Sequence, residues 1–342
     1  MGAFPARQPW IDVARGGAAS AVALFHINEI RPRDGSIYSQ LNQWGWLGVP
    51  VFFVFSGYCV FLASYKEPSV KNYLIRRLAR IYPAYFASLA FIVGLCAIRK
   101  LATGVNDYTP VPQTVPGWLA TLSITTQPVS HVPTMNWAYW TLSYEVAFYL
   151  VLAAAILLPA ARWWWLAGLT LLATNQDLAQ RIFFLSHWGE FALGIAIAWW
   201  HLGGKREGGL LALFAVVAIC RQVLGPAENS IALLTGAGLL ALVRLQFWLG
   251  QPWSWLSRAG EASYSLYLLH VPLGCWVVCR LLDPTGWRAS GGWVHFGCDL
   301  IVLFICLIAS LALFRWVELP GIKLGKKLAR NTGPSSSQPA SA

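Results

Sequence analysis

The sequence predicts an all-α fold: a polytopic membrane helical bundle of about ten transmembrane helices, with both termini in the cytoplasm. Composition is the first observation behind it. The 342 residues are 57% hydrophobic and 11% charged, with a mean hydropathy of +0.53, which excludes an ordinary soluble domain. The second is the recurrence of apolar runs long enough for a bilayer, which takes about 20 residues. They lie at about 11–30, 45–64, 83–99, 140–159, 163–177, 182–201, 208–224, 229–247, 262–282 and 294–317, with 163–177 and 208–224 the weakest. The third is charge placement. Lys66, Lys71, Arg76, Arg77 and Arg80 follow the second run, Lys205 and Arg206 the sixth, and Lys323, Lys326, Lys327 and Arg330 the last, all on one side. Basic loops mark the cytoplasmic face. The net charge of +11 then reads as attraction to the inner leaflet, and no nucleic-acid partner is expected.

The first run carries Asp12, Arg15 and His26, so it is not a plain signal peptide. Arg15 and His26 are eleven positions apart, which returns them to within about 20° of one another and about 16 Å apart along a helix. Asp12, three residues before Arg15, lies near the same face and is placed to pair with the guanidinium. Ionisable residues inside a membrane helix face protein or water and are functional candidates. The plainer alternatives are interfacial charges on a helix beginning near Gly16, and a His26 satisfied within the core. Alignment with Arg15 favours a working site.

Residues 31–43, with Arg31, Arg33 and Asp34, are expected as a short outer loop. In the second run Gly48, Pro50, Ser56 and Gly57 loosen the helix and permit close approach of neighbours, which simple packing also explains. Arg77 and Arg80 are three apart and grip one anionic group if helical, with Arg76 and Lys71 adding to the field. That group is either inner-leaflet lipid or the phosphate of a cytoplasmic substrate.

Residues 102–139 form the longest polar interval, rich in proline, expected as an outer loop serving as lid or acceptor-recognition surface. Glu145 falls inside the next run and should meet Arg15, His26 or a substrate hydroxyl. His187 to Gly194 reads as packing, whereas His270 is a second intramembrane candidate. Glu318 and Pro320 end the last run. Seven cysteines show no Cys-x-x-Cys and no metal-ligand spacing, so neither a structural metal nor a required disulfide is expected. Paired tryptophans such as Trp199 and Trp200 suit interfacial belts. Residues 1–322 read as one membrane domain, followed by a basic and then disordered cytoplasmic tail at 323–342.

Five motifs in order resemble the bacterial acyltransferase-3 family over about 10–320. They are Arg15 with His26; Gly48, Val49, Phe52, Phe53, Ser56 and Gly57; Arg77, Arg80, Tyr82 and Pro83; Trp140, Leu142, Glu145, Phe148 and Tyr149; and Ser263, Tyr264, Tyr267 and His270. The departures, Val13-Ala14 where the family more often has a glycine, and Tyr144 at a smaller position, touch no proposed chemistry. Some members carry an added hydrolase-like domain. Nothing after residue 320 resembles one, so transfer is expected to finish here or pass to a separate protein.

The resemblance implies an integral membrane O-acyltransferase of the bacterial inner membrane. It would move an acyl group, most often acetyl, from cytoplasmic acyl-CoA as co-substrate to a sugar hydroxyl of an envelope or exported polysaccharide. Exopolysaccharide and lipopolysaccharide are examples, with polysaccharide-assembly proteins as partners. His26 would be general base, Arg15 would stabilise charge near the thioester or hold donor phosphate, and Asp12 would orient Arg15. Arg76, Arg77, Arg80 and Tyr82 would hold the donor, and Trp140, Ser143, Glu145, Tyr264 and His270 would line the acceptor side. Direct transfer is expected, since no nucleophilic Cys or Ser stands beside His26 in sequence. Two rivals are a glycan transporter or flippase and a non-catalytic sensor. Neither an inverted repeat nor a Gly-x-x-x-x-Gly-Lys-Ser/Thr loop supports the first.

Overall fold

A computed structural model describes residues 9–29, 35–221, 225–245, 251–282, 286 and 292–331. The expected outer-loop charges Arg31 and Arg33 with Asp34, and the tail beyond Asn331, lie outside these residues. Among the described residues the fold is all helical. In chain order the helices are α1 (Pro9–Asn28), α2 (Ile37–Asn42), α3 (Gly48–Tyr65), α4 (Val70–Thr103), α5 (Val115–Leu122), α6 (Trp140–Leu157), α7 (Arg162–Ala173), α8 (Gln176–Arg181), α9 (Trp188–His201), α10 (Lys205–Arg221) and α11 (Pro226–Leu245). They continue as α12 (Ser254–Glu261), α13 (Ser263–Leu269), a π-helical stretch (His270–Val278), α14 (Cys279–Leu282), α15 (Gly292–Leu313), a π turn (Phe314–Glu318) and α16 (Leu319–Asn331).

Six segments among the described residues are long and apolar enough to cross a membrane: Ile37–Tyr65, Val70–Thr103, Trp137–Leu157, Pro226–Leu245, Ser263–Leu282 and Gly292–Arg330. The other four expected spans differ for physical reasons. Helix α1 has the length, 20 residues, but Asp12, Arg15 and many small side chains make it less apolar. The 163–177 run yields a 12-residue α7, about 18 Å long, which is short of a hydrocarbon core of about 30 Å. The 182–201 run becomes a 3-10 turn and then a 14-residue α9 whose residues Trp188 to Ala198 are all buried. Its apolarity all round reflects burial in protein. The 208–224 run gives a 17-residue α10.

Small residues set the crossings that matter for the site. At α1 and α12, a Cβ on Gly16 would lie 2.9 Å from Gly260 Cα, and one on Gly260 would meet the Asp12 carbonyl. At α3 and α9, a Cβ on Gly57 would strike the Phe191 carbonyl. The second-run glycines are therefore close-packing positions. Helix α4, with 34 residues and about 51 Å, and the continuous Gly292–Arg330 segment of 39 residues both exceed a bilayer core. Their ends lie side by side, with Gly321 against Ala79 and Pro83, and Gly325 against Ala79 and Ile75.

The long polar interval is tied down. Helix α5 sits within it, capped by Thr114, whose hydroxyl accepts from Gly117 N. Tyr85 donates to the Thr121 carbonyl at 2.6 Å, and Ser143 to the Ile124 carbonyl at 3.0 Å. Asp107 joins Arg99 of α4 to Arg280 of α14. Those two guanidiniums, Arg99 foremost, hold its carboxyl down at about 2, so this clamp is fully charged above the ordinary carboxylate range and is lost as pH falls through about 2.

Candidate active site: a basic mouth, a narrow slot and two histidines

Where α4 and α16 run together, an open cavity of about 370 Å³ is lined by Asp12, Arg15, Arg76, Arg77, Arg80 and Lys326, with Ser56, Cys59, Glu145 and Tyr149 among the rest of its wall. Its cations are held from behind. Arg76 pairs with Glu67 at 3.1 Å, and Arg80 stands 3.9 Å from Glu318, which is fully buried and accepts from Ser265 at 2.7 Å. Arg77 lies over the rings of Tyr149 and Tyr73 at 5.8 and 6.0 Å. The Nε atoms of Arg15, Arg76 and Arg77 are buried without a hydrogen-bond partner. Buried guanidinium donors of this kind are suited to an anion.

Arg15, Ser56 and Glu145 belong to this cavity and also to a second, smaller one of about 40 Å³. This inner slot is walled by Val49, Phe52, Phe53 and Leu142, with Thr141, Tyr264 and Tyr267 supplying hydroxyl-bearing sides. Glu145 accepts from Tyr149 at 2.6 Å at the junction. Tyr267, whose hydroxyl oxygen accepts from Thr141 Oγ1 at 2.9 Å, has its ring 5.6 Å from that of His270. The His270 ring in turn stacks on His26 at 5.3 Å. The slot wall is thus two rings from His26.

The two imidazoles have defined tautomers. His26 Nδ1 lies 2.8 Å from Glu29 Oε2, and a carboxylate only accepts, so Nδ1 carries a hydrogen and, in the neutral ring, the lone pair is on Nε2. His270 Nδ1 donates to the Leu266 carbonyl at 3.2 Å, leaving Nε2 buried without a partner. Trp137 covers His26 nearly parallel, at 6.0 Å and 9°. The His26 side chain remains 16% exposed.

Local sequence explains the placement. Residue 272 is a proline, so no N–H reaches the Leu268 carbonyl in the usual helical way. The backbone passes into a π-helix, and that carbonyl accepts from Ser88 Oγ at 3.3 Å and Asn136 Nδ2 at 3.1 Å. His270 opens the π stretch. At the far end of α1, Asn28 donates to the buried Asp299 of α15 at 2.7 Å, and Tyr38 donates to the same oxygen at 2.5 Å. This fixes the last turn, where His26 and Glu29 meet.

The structure brings together most of the residues singled out in the sequence. Arg15 lines the slot together with Tyr264 and Tyr267, and His26 stacks on His270 just past the end of α13. Asp12, Arg76, Arg77 and Arg80 line the mouth, and Glu145 and Tyr264 line the slot. Three expected site residues lie elsewhere. Tyr82, about 200° around α4 from Arg80, donates to the Ser123 carbonyl at 3.3 Å. Trp140 packs on Tyr144 and His187, and Ser143 is spent on Ile124. Conversely, Glu29, Trp137, Tyr267, Glu318 and Lys326 border these groups without having been given a site role from sequence. The His26 to Glu29 spacing of three was a readable signal. Lys326 needed the α16 packing to be seen. The helix carrying it also runs unbroken past 322, the domain limit read from sequence, to Asn331.

A helical, apolar chain with segments long enough for a bilayer, a cationic cavity, a small slot beside it and a stacked pair of histidines has the features of a membrane protein. The family model described as an acyltransferase domain matches residues 8–315, and the chain belongs to the acyltransferase-3 family. It is similar to nodulation protein 10 of Rhizobium leguminosarum bv. viciae, 27% identical over 323 residues, covering 82% of this chain and 83% of that one. It is also similar to the putative acetyltransferase ORF330 of Acidianus two-tailed virus, 29% identical over 144 residues, which is 42% of this chain and only 39% of the viral one. No solved structure matches.

Proposed function

We propose that this acyltransferase moves an acyl group, acetyl before others, from cytoplasmic acyl-CoA to a sugar hydroxyl of an envelope or exported polysaccharide. The observation that carries the reading is the pairing of His26 with Glu29, which in the neutral ring leaves Nε2 to act as base, in a chain that also holds an arginine-lined cavity. Acetyl accords with the name of the viral relative.

In this reading Arg76, Arg77 and Arg80, with Lys326, hold the donor phosphates. Arg15, with Asp12 beside it in the mouth, joins them in holding the donor, about 16 Å along α1 from His26. His26 Nε2 takes the proton of the sugar hydroxyl while its oxygen attacks that carbonyl. The C–S bond breaks, the CoA sulfur leaves, and the proton returns to it from the imidazolium. The net products are the sugar ester and free CoA. Glu145, Tyr264 and His270 line the path, and the mouth opens to the cytoplasm of a bacterial inner membrane.

Purified full-length chain in detergent, given labelled acetyl-CoA and an envelope glycan extract, should move label into glycan. His26→Ala should lower kcat by about 100- to 10000-fold, the range for losing a general base. Transfer that survives this substitution would remove the base from the mechanism. Label remaining on denatured protein would replace direct transfer by an acyl-enzyme.

A further inference from the structure

The inner slot carries an inference about which donors the site takes, and it rests on the acyl-CoA reading above. At about 40 Å³ it offers room for about three or four groups of water size, each needing about 10–15 Å³. An acetyl group has three heavy atoms and a propionyl group four. Butyryl, hexanoyl and succinyl have more. We propose that the slot is the acyl-measuring site of this protein and that Phe52 sets its upper limit, admitting acetyl and propionyl and refusing longer chains.

Its position fits. The slot joins the basic mouth at Arg15, Ser56 and Glu145, where the far end of a donor gripped by its phosphates would arrive. The opposite wall is Tyr267, whose ring lies 5.6 Å from that of His270. The walls differ in how firmly they are held. Phe53 is wedged among the rings of Phe191 at 4.7 Å, His187 at 5.1 Å and Tyr144 at 5.9 Å. Leu142 is buried, and Val49 backs onto the core. Phe52 is only half-buried and meets the Tyr267 ring edge-on at 5.8 Å. It is the wall whose truncation lengthens the slot without opening the core beneath Phe53.

The test reads donor binding alone, so it needs no acceptor. Affinities of the detergent-purified full chain for CoA and for its S-ethyl, S-butyl and S-hexyl thioethers are measured by calorimetry. S-ethyl-CoA should bind at least as tightly as CoA. S-butyl-CoA, whose four carbons equal a propionyl group in heavy atoms, should bind within about threefold of S-ethyl-CoA, and S-hexyl-CoA about 10-fold more weakly or worse, the scale of a methylene that does not fit. Phe52→Ala should restore S-hexyl-CoA to within about threefold of S-ethyl-CoA, and Phe52→Leu should fall between. Phe52→Trp, which adds volume, should lose S-ethyl-CoA while keeping CoA. Retained CoA affinity shows that each variant is folded; if Phe52→Ala loses it, Phe52→Leu and Phe52→Trp decide. Equal binding of all thioethers by the wild type, or an unchanged ranking in the variants, overturns the slot assignment and leaves the donor reading standing. Failure of the wild type to bind CoA at all overturns both.

Discussion

Glu29 determines what His26 is able to do. A neutral imidazole offers one lone pair, and the neighbour that takes the N–H decides which nitrogen presents it. Here the carboxylate at 2.8 Å takes Nδ1, while Trp137 stacks on the ring and His270 backs it. Glu29→Ala should therefore lower kcat by about 10-fold or more with the KM for acyl-CoA unchanged, since tautomer and orientation are lost far from the mouth. A fall in donor affinity instead would show Glu29 acting on the donor. At this scale the sequence was readable wherever a residue is expensive in a membrane: Arg15, His26, Glu145 and His270 all declare themselves by cost. Tyr82, Trp140 and Ser143 do not. Hydroxyls and indoles are cheap at such depths, and their direction depends on helix rotation, so Tyr82 turns to Ser123 and Ser143 to Ile124. Glu29 stood where an apolar run ends and resembled an ordinary interfacial charge.

Among the elements, α4 and α16 were legible as helices but not as a pair. Charge clustering at Arg76, Arg77 and Arg80 marked one anion site, and Lys323 to Arg330 read as a detached tail. Joining them depends on Gly321 and Gly325, whose missing side chains let α16 rest on Ala79 and Pro83. That contact brings Lys326 to the mouth and Glu318 behind Arg80. Gly325→Leu forces a side chain into Ala79 Cβ, and overpacking of this kind costs about 1–3 kcal/mol. The expected result is a CoA affinity at least about 10-fold weaker, with helix content by circular dichroism unchanged. Unaltered CoA binding would show that α16 contributes nothing to the mouth. The same dependence on neighbours explains why the 182–201 run is not among the six long apolar segments, because α9 is apolar through burial in protein, a case hydropathy does not separate from lipid exposure.

For the whole molecule the geometry makes a claim about sides. Helix α4 begins at the basic mouth and ends at Thr103, about 51 Å away, next to the Asp107 clamp that joins Arg99 to Arg280. The mouth cations and this clamp therefore sit at opposite ends of one membrane-crossing helix, with Arg15 on the donor side and His26 about 16 Å further along α1. A cytoplasmic donor requires the mouth to face inward and residues 104–136 to face outward. Lys326 and Val105 are both exposed and serve as reporters of the two ends. In a background with Cys220, the exposed native thiol, changed to serine, Lys326→Cys should react with an impermeant maleimide only in inside-out vesicles, and CoA should slow that reaction. Val105→Cys should react only in intact cells or right-side-out vesicles, with no effect of CoA. Labelling of both from the same side would contradict the crossing of α4, and labelling of Lys326→Cys only from outside would place the arginines where no cytoplasmic CoA reaches them. The positive-inside pattern already favours the first arrangement, since the basic residues that bind the donor in this reading are the same ones that orient the chain.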